Sequence, residues 1–294
     1  MGDPAHFAVV GGANPHTRDK YGRKKSVDRA LAIRQWAMLR ATLLELGVEV
    51  DVIPPDPAYP GLVYPANAGF RHGNVFVLSN LVPTRAGEKP AYRAAVSGRG
   101  LHCVEIRARF EGEADLFPAG DAYLFTHGRI RRQRFVPRVG WPPWKRVYGF
   151  RSQPEALAEI EAIQPLGKRV IRVELVDERF YHGDTCLCCF GPGREFLLAW
   201  PPALHPGSLE ELRARFGERL VAIGDADAAI YAANSFALER GGESLLVMPR
   251  GVSPELAAAV RATGTRVVDV DVSEFHKKGG GSVKCMIGDL GQFG

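Results

Sequence analysis

One local pattern recurs five times along this chain. A helix-like segment ends at a glycine, and a β-branched run follows. The glycines are Gly47, Gly100, Gly167, Gly217 and Gly264, and the runs occupy 48–53, 102–106, 170–175, 220–223 and 267–272. Glycine just past a helix end supplies a left-handed cap. Val/Ile-rich runs of this length read as strands. The glycines stand 53, 67, 50 and 47 residues apart, and a period near 50 marks a repeat architecture. At roughly 150 residues per domain, 294 residues would suggest about two domains. The repeat predicts one domain, 1–294, instead.

Between each run and the next helix lies a hairpin-like pair. Residues 74–78 form part of one, and 122–128 open the second. The third, 186–200, folds back at Gly191-Pro192-Gly193, and the fourth, 235–248, at Gly241-Gly242. The fifth unit keeps only Lys284-Cys285-Met286-Ile287, so Phe7-Ala8-Val9-Val10 is expected as its missing partner. That pairing would close a ring with no free sheet edge. The predicted fold is α/β, a five-bladed α/β propeller of five ββαβ-type repeats around a pseudo-fivefold axis. In the first helix the apolar stripe reads as Ala30, Ile33, Ala37, Leu39, Leu43 and Leu44. The longest interval holds an insertion at 129–147, rich in Arg, Pro and Trp. It reads as a solvated loop or a lid.

Composition excludes other classes. The chain is 46% hydrophobic and 24% charged, a globular balance. Its apolar stretches reach about eight residues, against about 20 for a bilayer span. Residues 1–34 lack the apolar core of a secretory signal, and five cysteines form no disulfide framework. A reducing, cytoplasmic setting is therefore expected. The net charge of +5 is modest, so neither a nucleic-acid nor a membrane partner is predicted. A homodimer is compatible with these features.

The loops that follow the core strands should gather at one end of a ring. The first contains Tyr64-Pro65-Ala66-Asn67-Ala68-Gly69-Phe70, and the second Phe110-Glu111-Gly112-Glu113-Ala114-Asp115. The third is Phe180-Tyr181-His182-Gly183-Asp184-Thr185-Cys186, and the fourth Gly224-Asp225-Ala226-Asp227 and then Asn234. The fifth runs from Phe275-His276-Lys277-Lys278 through Gly279-Gly280-Gly281 to Ser282-Val283-Lys284-Cys285. A nucleophile candidate, a base candidate and several carboxylates thus fall in equivalent positions. Cys103, Cys186, Cys188 and Cys189 read as packing. Cys285 follows three glycines and Lys284, where amides and positive charge would favour a thiolate. Asp225 and Asp227 read as turn and cap residues.

These loops resemble those of the guanidino-group-modifying enzymes with the pentein fold. That group comprises arginine deiminases, arginine dihydrolases, dimethylarginine dimethylaminohydrolases and amidinotransferases. The resemblance implies that Cys285 is the nucleophile and His182 the general acid/base, with Asp184 binding the guanidinium. It implies a second guanidinium carboxylate between Glu111 and Asp115, with Glu111 the first choice, Glu113 the second and Asp115 also a candidate. Asn67 matches a substrate-contacting Asn, and Arg85 and Arg151 match carboxylate-binding arginines. The chain departs from the family at Gly61, commonly Asp, at Gly183, commonly Leu, and at Met286-Ile287, commonly Leu-Thr. The implied activity is hydrolysis at the guanidinium carbon of arginine or a close derivative, a small-molecule substrate, with no cofactor and no metal. An amidinotransferase is the alternative, and a non-catalytic ring that binds ribosome or RNA is a further one.

Overall fold

The computed structural model describes residues 1–10, 14–19, 21–141 and 143–291. The chain opens with short 3-10 turns and then helix α1 (Arg29–Glu45), which Asp28 caps by accepting from Leu31 N. The first repeat supplies β1 (Gly69–His72), β2 (Val75–Leu78), α2 (Lys89–Ser97) and β3 (His102–Glu105). The second supplies β4 (Leu116–Ala119) and β5 (Ala122–His127), then the hairpin β6 (Arg134–Pro137) and β7 (Trp144–Val147), then α3 (Glu155–Ile163) and β8 (Arg169–Glu174). The third has β9 (Leu187–Phe190), β10 (Phe196–Ala199), α4 (Pro206–Phe216) and β11 (Leu220–Ala222). The fourth has α5 (Asp225–Ala229), β12 (Phe236–Arg240), β13 (Glu243–Pro249), α6 (Pro254–Ala262) and β14 (Thr265–Val270). Helix α7 (Ser273–Gly279) follows.

Four three-stranded sheets share one plan. In each, the hairpin strands pair antiparallel, and the second of them pairs parallel with the strand beyond the helix. A parallel neighbour requires a crossover, and α2, α3, α4 and α6 supply it. The central strands are the most apolar and the most buried, as in β5 and β13. The fold is mixed α/β. Asp227, read as a turn or cap residue, accepts from both Ser253 N (2.7 Å) and Ser253 Oγ (2.6 Å) and so fixes the start of α6. No helix among the described residues is long and apolar enough to cross a membrane.

Three expectations need correction. Residues 48–53 form no strand, and only Ile53 bridges to Gly2. The pairing of Phe7-Ala8-Val9-Val10 with Lys284-Cys285-Met286-Ile287 is absent too, because Lys284–Met286 is a 3-10 turn. Its backbone donors are spent elsewhere: Ser282 N and Cys285 N donate to Asn234 Oδ1, and Lys284 N donates to Asn234 O. A segment whose amides are already paired cannot also form a ladder. The stripe on α1 is also rotated. Ala32, Gln35, Leu39 and Leu43 are buried, whereas Ala30, Ile33, Ala37 and Leu44 face outward. Apolar residues stand on both faces of α1, so periodicity alone mixes the two: Leu39 and Leu43 are buried as expected, and the other four are not. The insertion 129–147, expected as a solvated loop or a lid, contains the β6–β7 hairpin, and Pro142 within it lies outside the described residues.

The buried face of α1 packs with Phe275, Cys285 and Met286 in one apolar cluster, so this helix backs the turn that carries Cys285. Leu39 is fully buried and Leu44 is 45% exposed. Leu39→Ala should therefore cost about 2–5 kcal/mol in a denaturant melt, and Leu44→Ala about 0.5 kcal/mol or less. Equal losses would contradict the observed face of α1.

Candidate active site

Four 3-10 turns meet at one place: Pro65–Asn67, Gly112–Ala114, Gly183–Thr185 and Lys284–Met286. They are the equivalent loops of separate units, as the repeat register predicts. Gly112 sits at φ +71°, and a Cβ there would lie 2.7 Å from the carbonyls of Ala66 and Gly69. Only glycine lets these two turns approach so closely.

Cys285, Asp184, His182 and Glu111 are all nearly fully buried, at 3, 4, 2 and 1% exposure. The Cys285 thiol donates to Asp184 Oδ2 at 3.5 Å. Asp184 Oδ1 is buried and makes no hydrogen bond to the protein. Burial, and the neighbouring charge of Asp115, hold the Asp184 carboxyl up at about 6 against the opposing effects of His182 and Lys284. Burial first, and the Asp184 charge second, push the Cys285 thiol well above 9.0. This corrects the expectation of a thiolate promoted by Lys284. The Lys284 ammonium instead pairs with Glu113 (3.0 Å) and donates to Ile287 O (3.1 Å).

His182 Nε2 and Glu111 Oε2 are 2.7 Å apart. Glu111 Oε1 accepts from Val82 N (3.1 Å), and Glu111 N donates to Ser152 Oγ (3.1 Å). Burial alone would raise the Glu111 carboxyl. The His182 hydrogen bond and the charges of Arg151, His182 and Arg85 outweigh it and hold it near 2. Glu113 and Asp115, the other carboxylates of that loop, have other partners. Glu113 faces the opposite side, where it accepts from Asp289 N (2.5 Å), and burial lifts it to about 7. Asp115 accepts from Thr126 Oγ1 (2.6 Å), Ser152 Oγ (2.6 Å) and Gly183 N (3.0 Å). Its oxygens are therefore committed to the protein, and it ties the 111 and 183 turns together.

Asn67 lies against this group, with Nδ2 3.5 Å from Glu111 O. Arg85 Nη1 donates to Asn67 Oδ1 at 2.6 Å, and Arg85 Nε and Nη2 are held by Glu88. The Arg85 side chain is thus occupied in fixing Asn67. Its partner Glu88 explains the departure at Gly61, since a Cβ there would stand 2.2 Å from Glu88 Oε1. The departure at Gly183 has a similar cause, because a Cβ there would stand 2.3 Å from Thr126 Oγ1. Arg151 is buried with its guanidinium 4.8 Å from the centre of the Tyr181 ring.

The sequence reading named Asn234 without giving it a role. Fully buried, it accepts Ser282 N (3.0 Å) and Cys285 N (3.1 Å) on Oδ1 and donates from Nδ2 to Asp184 O (3.0 Å). One amide thereby locks the thiol turn to the Asp184 turn. Glu88 was also missed, although its position three residues after Arg85 was a legible ion-pair spacing. Asn14 donates to Gly279 O (2.8 Å) and Tyr181 OH (3.2 Å), joining the N-terminal segment to the loops that flank Cys285 and His182. A cleft of about 630 Å³ opens on the other side, where Glu113, Ile287 and Asp289 line it, and not at Cys285. Cys186, Cys188 and Cys189 are buried and unpaired with one another. Among the described residues no three His, Cys, Asp or Glu side chains are arranged to hold a metal.

Known proteins align with most of this chain. The family model of eukaryotic N,N dimethylarginine dimethylhydrolase matches residues 151–291. The N(G),N(G)-dimethylarginine dimethylaminohydrolase of Mycobacterium tuberculosis is 36% identical over 97% of this chain and 83% of its own. A bifunctional arginine dihydrolase/ornithine cyclodeaminase of Nostoc sp. is 33% identical over 97% of this chain but only 37% of its own. Among solved structures, the N-terminal domain of ArgZ, a cyanobacterial arginine dihydrolase, superposes with a TM-score of 0.82 at 27% identity, covering 97% of this chain and 95% of that one. The chain therefore belongs to the pentein superfamily of guanidino-group-modifying enzymes, among its hydrolases.

Proposed function

We propose that this chain is a single catalytic domain, a five-bladed α/β propeller, that hydrolyses arginine or a close derivative through a covalent amidino intermediate on Cys285. The observation that carries this reading is the buried Asp184 carboxylate, which has one oxygen on the Cys285 thiol and the other unpartnered. A planar guanidinium supplies what that oxygen lacks. The four repeated sheets and the meeting of their turns support the propeller. The five free cysteines fit a reducing, cytoplasmic setting. The relatives' names support the substrate class, since one acts on dimethylarginine and the others on arginine. A second ArgZ structure carries a covalently bound reaction intermediate.

In this mechanism Asp184 and Glu111 grip the guanidinium edges by charge-assisted hydrogen bonds. They set its carbon against the sulfur. The arriving cation replaces the missing positive charge beside Cys285, so the thiol gives its proton to the His182 imidazole and the sulfur attacks the guanidinium carbon. His182, oriented by Glu111, donates a proton to the departing nitrogen as the C–N bond breaks. Water, deprotonated by the same imidazole, then breaks the C–S bond and releases the ureido product and the free thiol. Asn67 contacts the bound substrate, held in place by Arg85. Arg151 offers positive charge to the substrate's carboxylate. Asp115 and Asn234 are positioning residues. Glu113 supports the back of the thiol turn through Lys284.

Cys285→Ser should cut turnover of an arginine or dimethylarginine substrate by at least about 10⁴-fold while leaving the circular dichroism and melt unchanged. Substantial residual activity would remove Cys285 from the nucleophile role.

Protonation of Asp184 removes one side of the clamp. kcat/KM should therefore decline as pH falls through about 6. The same residue should oppose folding. Its folded value lies above the ordinary 3.8, so the folded state binds the proton more tightly, and stability is lost as pH rises through about 6. Asp184→Asn should then melt a few degrees higher than the parent at neutral pH, with no difference below 3.8, while losing about 10²–10³-fold in kcat/KM. A variant that is both less stable and fully active would contradict the account.

A further inference from the structure

The insertion 129–147 takes no part in the chemistry, yet it is the most unusual surface of the molecule. Among the described strands, β6 and β7 pair only with each other. Phe135, Val139, Trp141 and Trp144 are 66, 104, 88 and 56% exposed. A lone two-stranded hairpin is at best marginally stable in water, and clustered exposed aromatics mark a contact surface. The segment carries seven basic residues, Arg129, Arg131, Arg132, Arg134, Arg138, Lys145 and Arg146, and no acidic one. Since the whole chain is only +5, everything outside this segment sums to −2. The basic character of the protein is therefore local to one hairpin.

The order of residue types along the hairpin decides what it fits. The stretch 139–144 is uncharged and holds both tryptophans, while the basic residues lie behind it on the two arms, where Phe135 is the one exposed aromatic among them and carries the Arg146 guanidinium over its ring. An aromatic tip with a cationic collar matches the layers of an anionic bilayer. Trp favours the membrane–water interface, and Lys and Arg are drawn to the negative surface within a Debye length. A single-stranded nucleic acid is better met by cations and aromatics interleaved along a groove, so that phosphates and bases are reached together. A second copy presenting the same hairpin would set seven positive charges against seven.

We propose that this hairpin docks the protein on an anionic lipid surface, with Trp141 and Trp144 entering the interface and the flanking arginines and Lys145 meeting the headgroups. The inference is independent of the proposed substrate. It also has a location that matters, because β7 leads within a few residues to Arg151 and to Ser152, which hydrogen-bonds Asp115 and the Glu111 amide.

The test uses the full chain with vesicles of phosphatidylcholine alone or mixed with phosphatidylglycerol, read by sedimentation and by a tryptophan fluorescence shift. Salt-sensitive binding to the anionic vesicles only is the expected result. Trp141→Ala/Trp144→Ala and Arg131→Ala/Arg132→Ala should each weaken it by about tenfold or more, and both should keep parental turnover without vesicles. No binding to anionic vesicles, or equal binding by the parent and both variants, would overturn the proposal. A single-stranded oligonucleotide that binds more tightly than the vesicles, through the same residues, would replace the lipid with nucleic acid.

Discussion

Desolvation of acidic groups is the constraint around which this site is built. Glu111, Glu113, Asp115 and Asp184 are all brought into one knot of turns, and burial penalises the charged form of each. The first three are answered from within the protein. His182 answers Glu111, and Lys284 and the Asp289 amide answer Glu113. Two hydroxyls and the Gly183 amide answer Asp115. The Asp184 carboxylate, although it feels the more distant charges of His182 and Lys284, accepts a hydrogen bond only from a neutral thiol at 3.5 Å and keeps one oxygen unpartnered. A cation that fills this deficit corrects Asp184 and the thiol together. In the proposed mechanism, substrate recognition and nucleophile activation are then one electrostatic event.

The scaffold makes that imbalance tolerable. Four short turns are delivered from separate parts of the chain, and buried side chains clamp them. Asn234 joins the thiol turn to the Asp184 turn, Asp115 joins the 111 and 183 turns, and Arg85 with Glu88 fixes Asn67. Groups held so closely from several directions lose little further entropy when a substrate arrives.

Much of this was legible in the sequence, and for identifiable reasons. Glycine caps and β-branched runs mark four of the five units because both are local signals. The loop register brings Cys285, His182, Asp184 and Glu111 into one list because the repeat carries equivalent positions to the same place. What the sequence left open or missed depended on three dimensions. The choice between Glu111 and Glu113 turns on which way each side chain leaves a turn whose glycine has positive φ. Lys284 precedes Cys285 in sequence yet points to Glu113. The fifth strand pairing was lost to Asn234, an acceptor some fifty residues away that takes the amides a ladder would need. The α1 stripe combined residues of two faces because apolar residues lie on both sides of it, and only Leu39 and Leu43 are buried.

The central claim is that Cys285 rests as a neutral thiol and ionises only when a guanidinium occupies the Asp184 clamp. The direct measurement is the pH dependence of Cys285 alkylation, located by mass spectrometry, with and without an unreactive guanidinium ligand. The account predicts an apparent thiol pKa well above 9.0 in the free protein and a marked drop on ligand binding. A value at or below 9.0 without ligand, or one that the ligand leaves unmoved, would contradict it.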